Sequence, residues 1–220
     1  MVIVGLTGSI GMGKSTAAKM LRQMGVPVYD ADAAVHALQA PGGAALPGIE
    51  AAFPGVVKAG VLDRQALGAC VFGNRAALRR LEGIVHPLVQ RRQRAFLRRA
   101  ALAGEKLVVL DIPLLFEGLG ERRVDATLVV SAPAFLQRRR VMARPGMTAE
   151  KLDGILRQQV PDALKRRKAS LVIPTGLGLA PTREALASAV AQLRHCRGRF
   201  WPPNPWRERF TAQLARARRK

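Results

Sequence analysis

At 220 residues and 23.8 kDa the chain is long enough for one core, with or without inserted subdomains, and too short for two large domains. Hydrophobic residues at 49% and charged residues at 23% exclude wholesale disorder. Lys and Arg total 36 against 15 Asp and Glu, giving a net charge of +21 dominated by arginine, so the expected partners are polyanions: nucleotides, nucleic acid or anionic lipid. The two cysteines, Cys70 and Cys196, form no CxxC and no His/Cys cluster, which excludes a disulfide framework and a structural zinc site. The segment Met1–Gly8 lacks a basic leader and runs straight into glycines, unlike a signal peptide. No apolar run approaches the ~20 residues that span a bilayer, so no integral membrane segment is expected and the expected location is the cytoplasm.

In chain order, Val2–Leu6 reads as a buried strand, Lys14–Met24 as a helix, and Val26–Tyr29 as a second short strand. Lys106–Asp111, Ala126–Val130 and Leu171–Ile173 continue the series. Short continuous apolar strands separated by helices predict a mostly parallel sheet flanked by helices, an α/β fold. Ser131 and Pro133 look like an N-cap and a first-turn proline. Between the second and third strands, Leu67, Cys70, Val71, Leu78, Leu81, Val85 and Leu88 follow helical spacing, with Arg79, Arg80, Arg91, Arg92, Arg94, Arg98 and Arg99 opposite. This is a helical insert over about 58–104. A second helical segment, about 134–168, breaks at Arg144-Pro145-Gly146 and restarts at Thr148, a candidate N-cap.

Gly8-Ser9-Ile10-Gly11-Met12-Gly13-Lys14-Ser15-Thr16 fits GxxxxGK[ST]. A loop of this spacing wraps phosphates with successive backbone N–H groups. Lys14 balances charge on the β/γ-phosphates, and the Ser15 hydroxyl ligates Mg²⁺. The helix beginning at Lys14 directs the positive end of its dipole at the same phosphates. A guanine-reading Asn-Lys-x-Asp is absent, and motor and transporter ATPases are longer. A small nucleotide-dependent kinase remains, in which Mg²⁺, lysine and mobile arginines stabilise a phosphoryl group in flight.

Asp30 and Asp32 follow the second strand, at the edge where open α/β sheets bind ligands. One can accept the proton of an attacking hydroxyl, or one can simply cap the helix Ala33–Leu38; spacing leaves both open. Arg138, Arg139, Arg140 and Arg144 precede the Pro-Gly break, either as a hinged lid that delivers cations or as a solvated basic face.

These residues resemble the dephospho-CoA kinase family over residues 1 to about 195. The resemblance rests on Gly5–Gly8 entering the loop, Asp30-Ala31-Asp32, Leu62-Asp63-Arg64 with Val71-Phe72, and Leu81-Glu82 with His86-Pro87. It continues through Asp111–Glu117, Val124-Asp125, Gln137 with Arg140, and Gln159. It implies a P-loop kinase fold with a helical acceptor-binding insert and a helical lid, and ATP-dependent phosphorylation of the ribose 3′-hydroxyl of dephospho-CoA with Mg²⁺. It implies Asp32 as general base, Lys14 and Arg140 at the phosphates, and Gly8, Gly11, Met12, Gly13, Lys14, Ser15 and Thr16 around the nucleotide. Arg64, His86 and Leu114 match acceptor-pocket positions, and Asp111 a carboxylate that holds Mg²⁺ through water. Ala169-Ser170 before the last strand and Thr175-Gly176 after it depart from the family's pattern, and both are expected near the adenine.

The alternatives are a nucleoside or nucleotide kinase and a nucleic-acid-binding NTPase. Against the latter stand an aromatic content of 5% and the lack of an RNA-recognition or helix-turn-helix signature. Residues 1–196 are expected to form the kinase domain and 197–220 a basic tail. From Arg194 to Lys220 Glu208 alone opposes nine Lys and Arg residues, and Phe210, Leu214 and Ala217 share a helical face, as in a cationic amphipathic helix that contacts polyanions.

Overall fold

A computed structural model describes residues 1–202, so the amphipathic helix expected around Phe210 lies outside the described residues. In chain order the elements are β1 (Val2–Thr7), α1 (Lys14–Gln23), β2 (Val28–Asp30), α2 (Ala31–Leu38), α3 (Leu46–Ala52), β3 (Val57–Lys58), β4 (Val61–Leu62), α4 (Arg64–Val71) and α5 (Arg75–Leu102). They continue with β5 (Leu107–Asp111), β6 (Ala126–Ser131), α6 (Ala134–Met142), α7 (Ala149–Gln158), α8 (Asp162–Lys168), β7 (Leu171–Pro174) and α9 (Leu179–Arg194). The described residues divide into two compact units, one of residues 1–29 with 100–202 and one of residues 30–99.

The first unit is built on a sheet of order β2-β5-β1-β6-β7, in which β1 pairs in parallel with β5 and β6, and β6 with β7. All six residues of β1 and all five of β5 are buried, so neither strand shows polar/apolar alternation and both faces need cover. Helices supply it. Ala17, Ala18 and Leu21 of α1 pack with Leu186, Ala189, Val190 and Leu193 of α9 against Val2, Val4, Leu6, Val109 and Leu128. Each buried Val or Leu contributes about 1.5–3 kcal/mol.

Ser131 does not cap a helix. It is still paired with Pro174 in the β6–β7 ladder, so α6 begins only after Pro133. The restart at Thr148 is as the sequence suggests, since its side chain accepts from the Lys151 N–H at 3.3 Å. The segment breaks a second time at Gln159–Pro161, before α8.

The second unit has its own core of Leu38, Leu46, Ile49, Phe53, Val56, Leu62, Leu67 and Val85. The apolar spacing that reads as one helical run belongs to two helices. The chain turns at Gly73 in the left-handed region (φ 73°), and Asn74 Oδ1 accepts from the N–H groups of Ala76 and Ala77, starting α5. Cys70 and Leu78 consequently stand exposed. Asp63 caps α4 in the same way, and the N–H of Ala66 with the Lys58 ammonium holds its carboxyl below the usual range. Pro87 lies within α5 with no N–H to offer Gly83 one turn back, and the helix continues through it.

Candidate active site

The loop Gly8–Thr16 joins the carboxyl end of β1 to α1. Gly8 is required by contact: a Cβ there would lie 2.9 Å from the carbonyl oxygen of Val130. Gly11 and Gly13 are required by conformation, with φ of 76° and 86°. The Met12 N–H donates to Ser9 O at 3.1 Å, closing a turn around Ile10 and Gly11. Met12 is buried, and its sulfur accepts from the Ala132 N–H. Ser15 and Thr16 lie exposed in the first turn of α1.

Lys14 Nζ meets Asp111 Oδ1 at 2.6 Å. The register places them: Leu6 is opposite Asp111, so the last residue of β5 lies beside the strand that feeds the loop. Asp111 is 3% exposed.

Arg140 is half-buried on α6. Its guanidinium donates to Thr175 O at 2.7 Å and to Gly11 O at 3.4 Å, so it lies against the loop. Thr175 does more than follow β7. Its hydroxyl donates to Met12 O at 2.7 Å and lies 3.1 Å from Ser131 O, tying the loop to the ends of β6 and β7. Ser170 is elsewhere. It exchanges hydrogen bonds with Thr127, the second residue of β6, at 2.9 and 3.0 Å. That is the amino end of the parallel strands, opposite the loop, so the expectation that Ser170 lies near the adenine is corrected: the length of β7 separates it from Thr175.

Leu114 follows β5 and is 51% exposed, while the neighbouring Pro113 O accepts from the Thr7 hydroxyl at 2.9 Å. A cavity of about 520 Å³ opens beside Ser9, with Gln137, Arg157, Gln159 and Asp162 in its wall.

On the second unit, Asp30 takes the capping role that the spacing leaves open to either aspartate. Asp30 is the cap of α2, accepting from the Ala33 N–H at 2.9 Å. Asp32 is in the first turn of that helix with its carboxylate exposed. Arg64 and His36 come together, Nη2 to Nδ1, at 2.9 Å. Because arginine only donates, His36 accepts through Nδ1 and keeps its proton on Nε2. The sequence points to Arg64 but not to His36. His86 is exposed on α5 beside Pro87.

Among the described residues no three His, Cys, Asp or Glu side chains cluster as a metal site. The Ser15 hydroxyl and Asp111 carboxylate are nonetheless hard oxygen donors of the kind Mg²⁺ takes. A cation held by one or two such groups completes its shell with nucleotide phosphates and water.

A model of the dephospho-CoA kinase family matches residues 2–179. A dephospho-CoA kinase of Mesorhizobium japonicum is 57% identical over 198 residues, covering 90% of this chain and 100% of the relative. One of Paramagnetospirillum magneticum is 66% identical over 166 residues, 76% of this chain and 78% of the relative. A solved Thermus thermophilus structure superposes with a TM-score of 0.76 at 40% identity, covering 87% of this chain and 97% of that one. A Campylobacter jejuni dephospho-CoA kinase shares the fold with a TM-score of 0.59 at 24% identity, covering 87% and 96%.

Proposed function

The chain belongs to the dephospho-CoA kinase family, and from that premise we propose how its residues move the γ-phosphoryl group of ATP to the ribose 3′-hydroxyl of dephospho-CoA, completing coenzyme A. The observation that carries the proposal is the grouping of loop, Lys14 and Asp111 at one edge of the sheet. The loop amides and the amino end of α1 receive the β- and γ-phosphates. Asp111 keeps Lys14 extended along the loop, so its charge stands in place before transfer and needs little reorganisation. Arg140 adds a second cation beside Gly11, directed to the equatorial oxygens of the moving group.

Asp32 orients the acceptor hydroxyl and takes its proton as the new O–P bond forms in line with the departing ADP. Arg64, steadied by His36, holds acceptor phosphate, and His86 on the second unit and Leu114 on the first are each assigned an acceptor contact. Mg²⁺ supplies charge neutralisation on the β- and γ-oxygens when bound, and Ser15 and Asp111 would hold it. We place the reaction in the cytoplasm. Among the described residues no helix is long and apolar enough to cross a membrane.

The test is ADP release from ATP with dephospho-CoA, AMP or no acceptor. Release driven by dephospho-CoA is expected, and release driven equally by AMP would favour a nucleotide kinase. For the basic tail we propose polyanion contact, on the strength of its charge. Its first residues are tied to the kinase unit, because the Arg199 N–H donates to Asp125 Oδ1 at 2.5 Å. Removing 203–220 should leave kcat near wild type and weaken retention on heparin at low salt. Undiminished retention would overturn the tail proposal.

A further inference from the structure

The peptide of Ile10, inside the phosphate loop, is gripped from both sides. Its N–H donates to Gln159 Oε1 at 3.1 Å, and its carbonyl accepts from Gln137 Nε2 at 2.8 Å. Gln137 is on α6 and buried; Gln159 is the residue that ends α7. The next residue, Val160, donates its N–H to Glu117 Oε1 at 2.8 Å. That same carboxylate oxygen lies 2.9 Å from the Lys165 ammonium, whose side chain is 0% exposed.

A buried ion pair is a poor device for stability alone. Two apolar side chains of similar volume commonly serve as well or better, because desolvating the charges offsets their attraction. Here Glu117 Oε2 is buried without a hydrogen-bond partner, so the pair is not even fully satisfied. What it does achieve is placement. Glu117 lies in the segment after β5, a fully buried interior strand, and fixes the backbone at Val160, the step from which the Gln159 side chain reaches the loop. A carboxylate locked by a buried cation has no freedom to swing away.

We propose that Glu117, with Lys165, is a positioning residue for ATP binding, acting through Val160 and Gln159 to hold the Ile10 peptide of the phosphate loop. This rests on the reading of Gly8–Thr16 as the ATP site. The loop's value lies in amides aimed before the nucleotide arrives, and every hydrogen bond that restrains Ile10 lowers the ordering left to do on binding. Gln137 restrains the carbonyl from α6, and Gln159 restrains the N–H from α7. Only the second restraint depends on the buried pair.

The experiment measures ATP KM, dephospho-CoA KM, kcat and melting temperature for Glu117→Leu/Lys165→Met, Glu117→Gln/Lys165→Met, Gln159→Leu, and Gln159→Leu combined with the first pair. Wild-type turnover is the control for the ATP-site reading, and a wild type that bound no ATP would overturn both readings. The apolar pair is expected to melt near wild type yet raise ATP KM about three- to tenfold, the loss of one hydrogen bond, with dephospho-CoA KM within about twofold. Glu117→Gln/Lys165→Met still offers an amide oxygen to the Val160 N–H and should return ATP KM to near wild type. Adding Gln159→Leu to the apolar pair should raise ATP KM no further, because both act on one path. Additive effects, or an ATP KM unchanged in the apolar pair, would overturn the proposal. Gln159→Leu alone lies outside the buried pair and should raise ATP KM by the same factor. An unchanged value there would overturn the proposal even if the apolar pair failed to fold.

Discussion

Lys14 Nζ stands 2.6 Å from Asp111 Oδ1, a contact made between the residue that opens α1 and the residue that closes β5. In the proposed reading the pairing joins the cation that receives phosphate to a carboxylate that would hold Mg²⁺. The parallel register of β1 and β5 sets the two side by side, because it places Asp111 opposite Leu6 of the strand that feeds the loop.

Lys14→Ala removes the charge proposed to meet the transition state and should lower kcat by about 10²–10³. Asp111→Asn keeps the volume but weakens cation holding, so more Mg²⁺ should be needed for half-maximal rate. Steady-state rates at fixed ATP and varied Mg²⁺ measure both. An Asp111→Asn enzyme with the wild-type Mg²⁺ requirement would remove Asp111 from the metal site.

Asp30 and Asp32 should separate cleanly under mutation. Asp32→Asn is exposed and should leave melting unchanged while lowering kcat by at least about tenfold, since a general base typically supplies 10²–10⁴. Asp30→Ala removes the cap on α2 and should cost about 1 kcal/mol in denaturant titrations. If the two variants showed the reverse pattern, the general base would be Asp30.

The Glu117 carboxyl gives a pH signature. Burial works to raise it, but the hydrogen bond from Lys165 and those from backbone N–H groups outweigh burial and hold it below its ordinary value of 4.5. The folded protein therefore takes up this proton less readily than the unfolded chain. The stabilisation is complete above pH 4.5 and is lost as pH falls through the lower folded value. Melting temperature against pH should show this acid limb in the wild type and a shallower one in Glu117→Gln/Lys165→Met. Parallel curves would show that the carboxylate contributes nothing to acid stability.

The phosphate loop was legible in the sequence because its glycines answer to backbone geometry at fixed offsets, which side-chain context does not blur. The parallel sheet was legible from buried apolar runs such as Leu107–Leu110. The clasp on Ile10 was not. Gln137 and Gln159 lie 127 and 149 residues from the peptide they hold, and neither spacing has a local pattern. Lys165 opens the basic run Lys165-Arg166-Arg167-Lys168, so a fully buried ammonium has the sequence appearance of a solvated face. His36 and Arg64 belong to different helices 28 residues apart, and neither residue alone announces the other.

Thr175 offers a direct test of how the loop is held from its far side. It is 6% exposed, its hydroxyl donates to Met12 O at 2.7 Å with Ser131 O at 3.1 Å, and a Cβ on Gly13 would meet its Cβ at 3.4 Å. Thr175→Val preserves this packing almost atom for atom but withdraws the hydroxyl donor from Met12 O, while Ser131 O keeps the Thr175 N–H at 2.8 Å. Leaving a buried acceptor without its partner costs about 1–3 kcal/mol, which denaturant titration would register. Because the Met12 carbonyl belongs to the phosphate loop, ATP KM should rise with the loss of stability. Thr175→Ser restores the donor and omits a methyl group, so it should recover ATP KM more fully than it recovers stability. If Ser and Val variants showed the same ATP KM, packing against Gly13 would be what matters, and the hydroxyl would have no part in holding the loop.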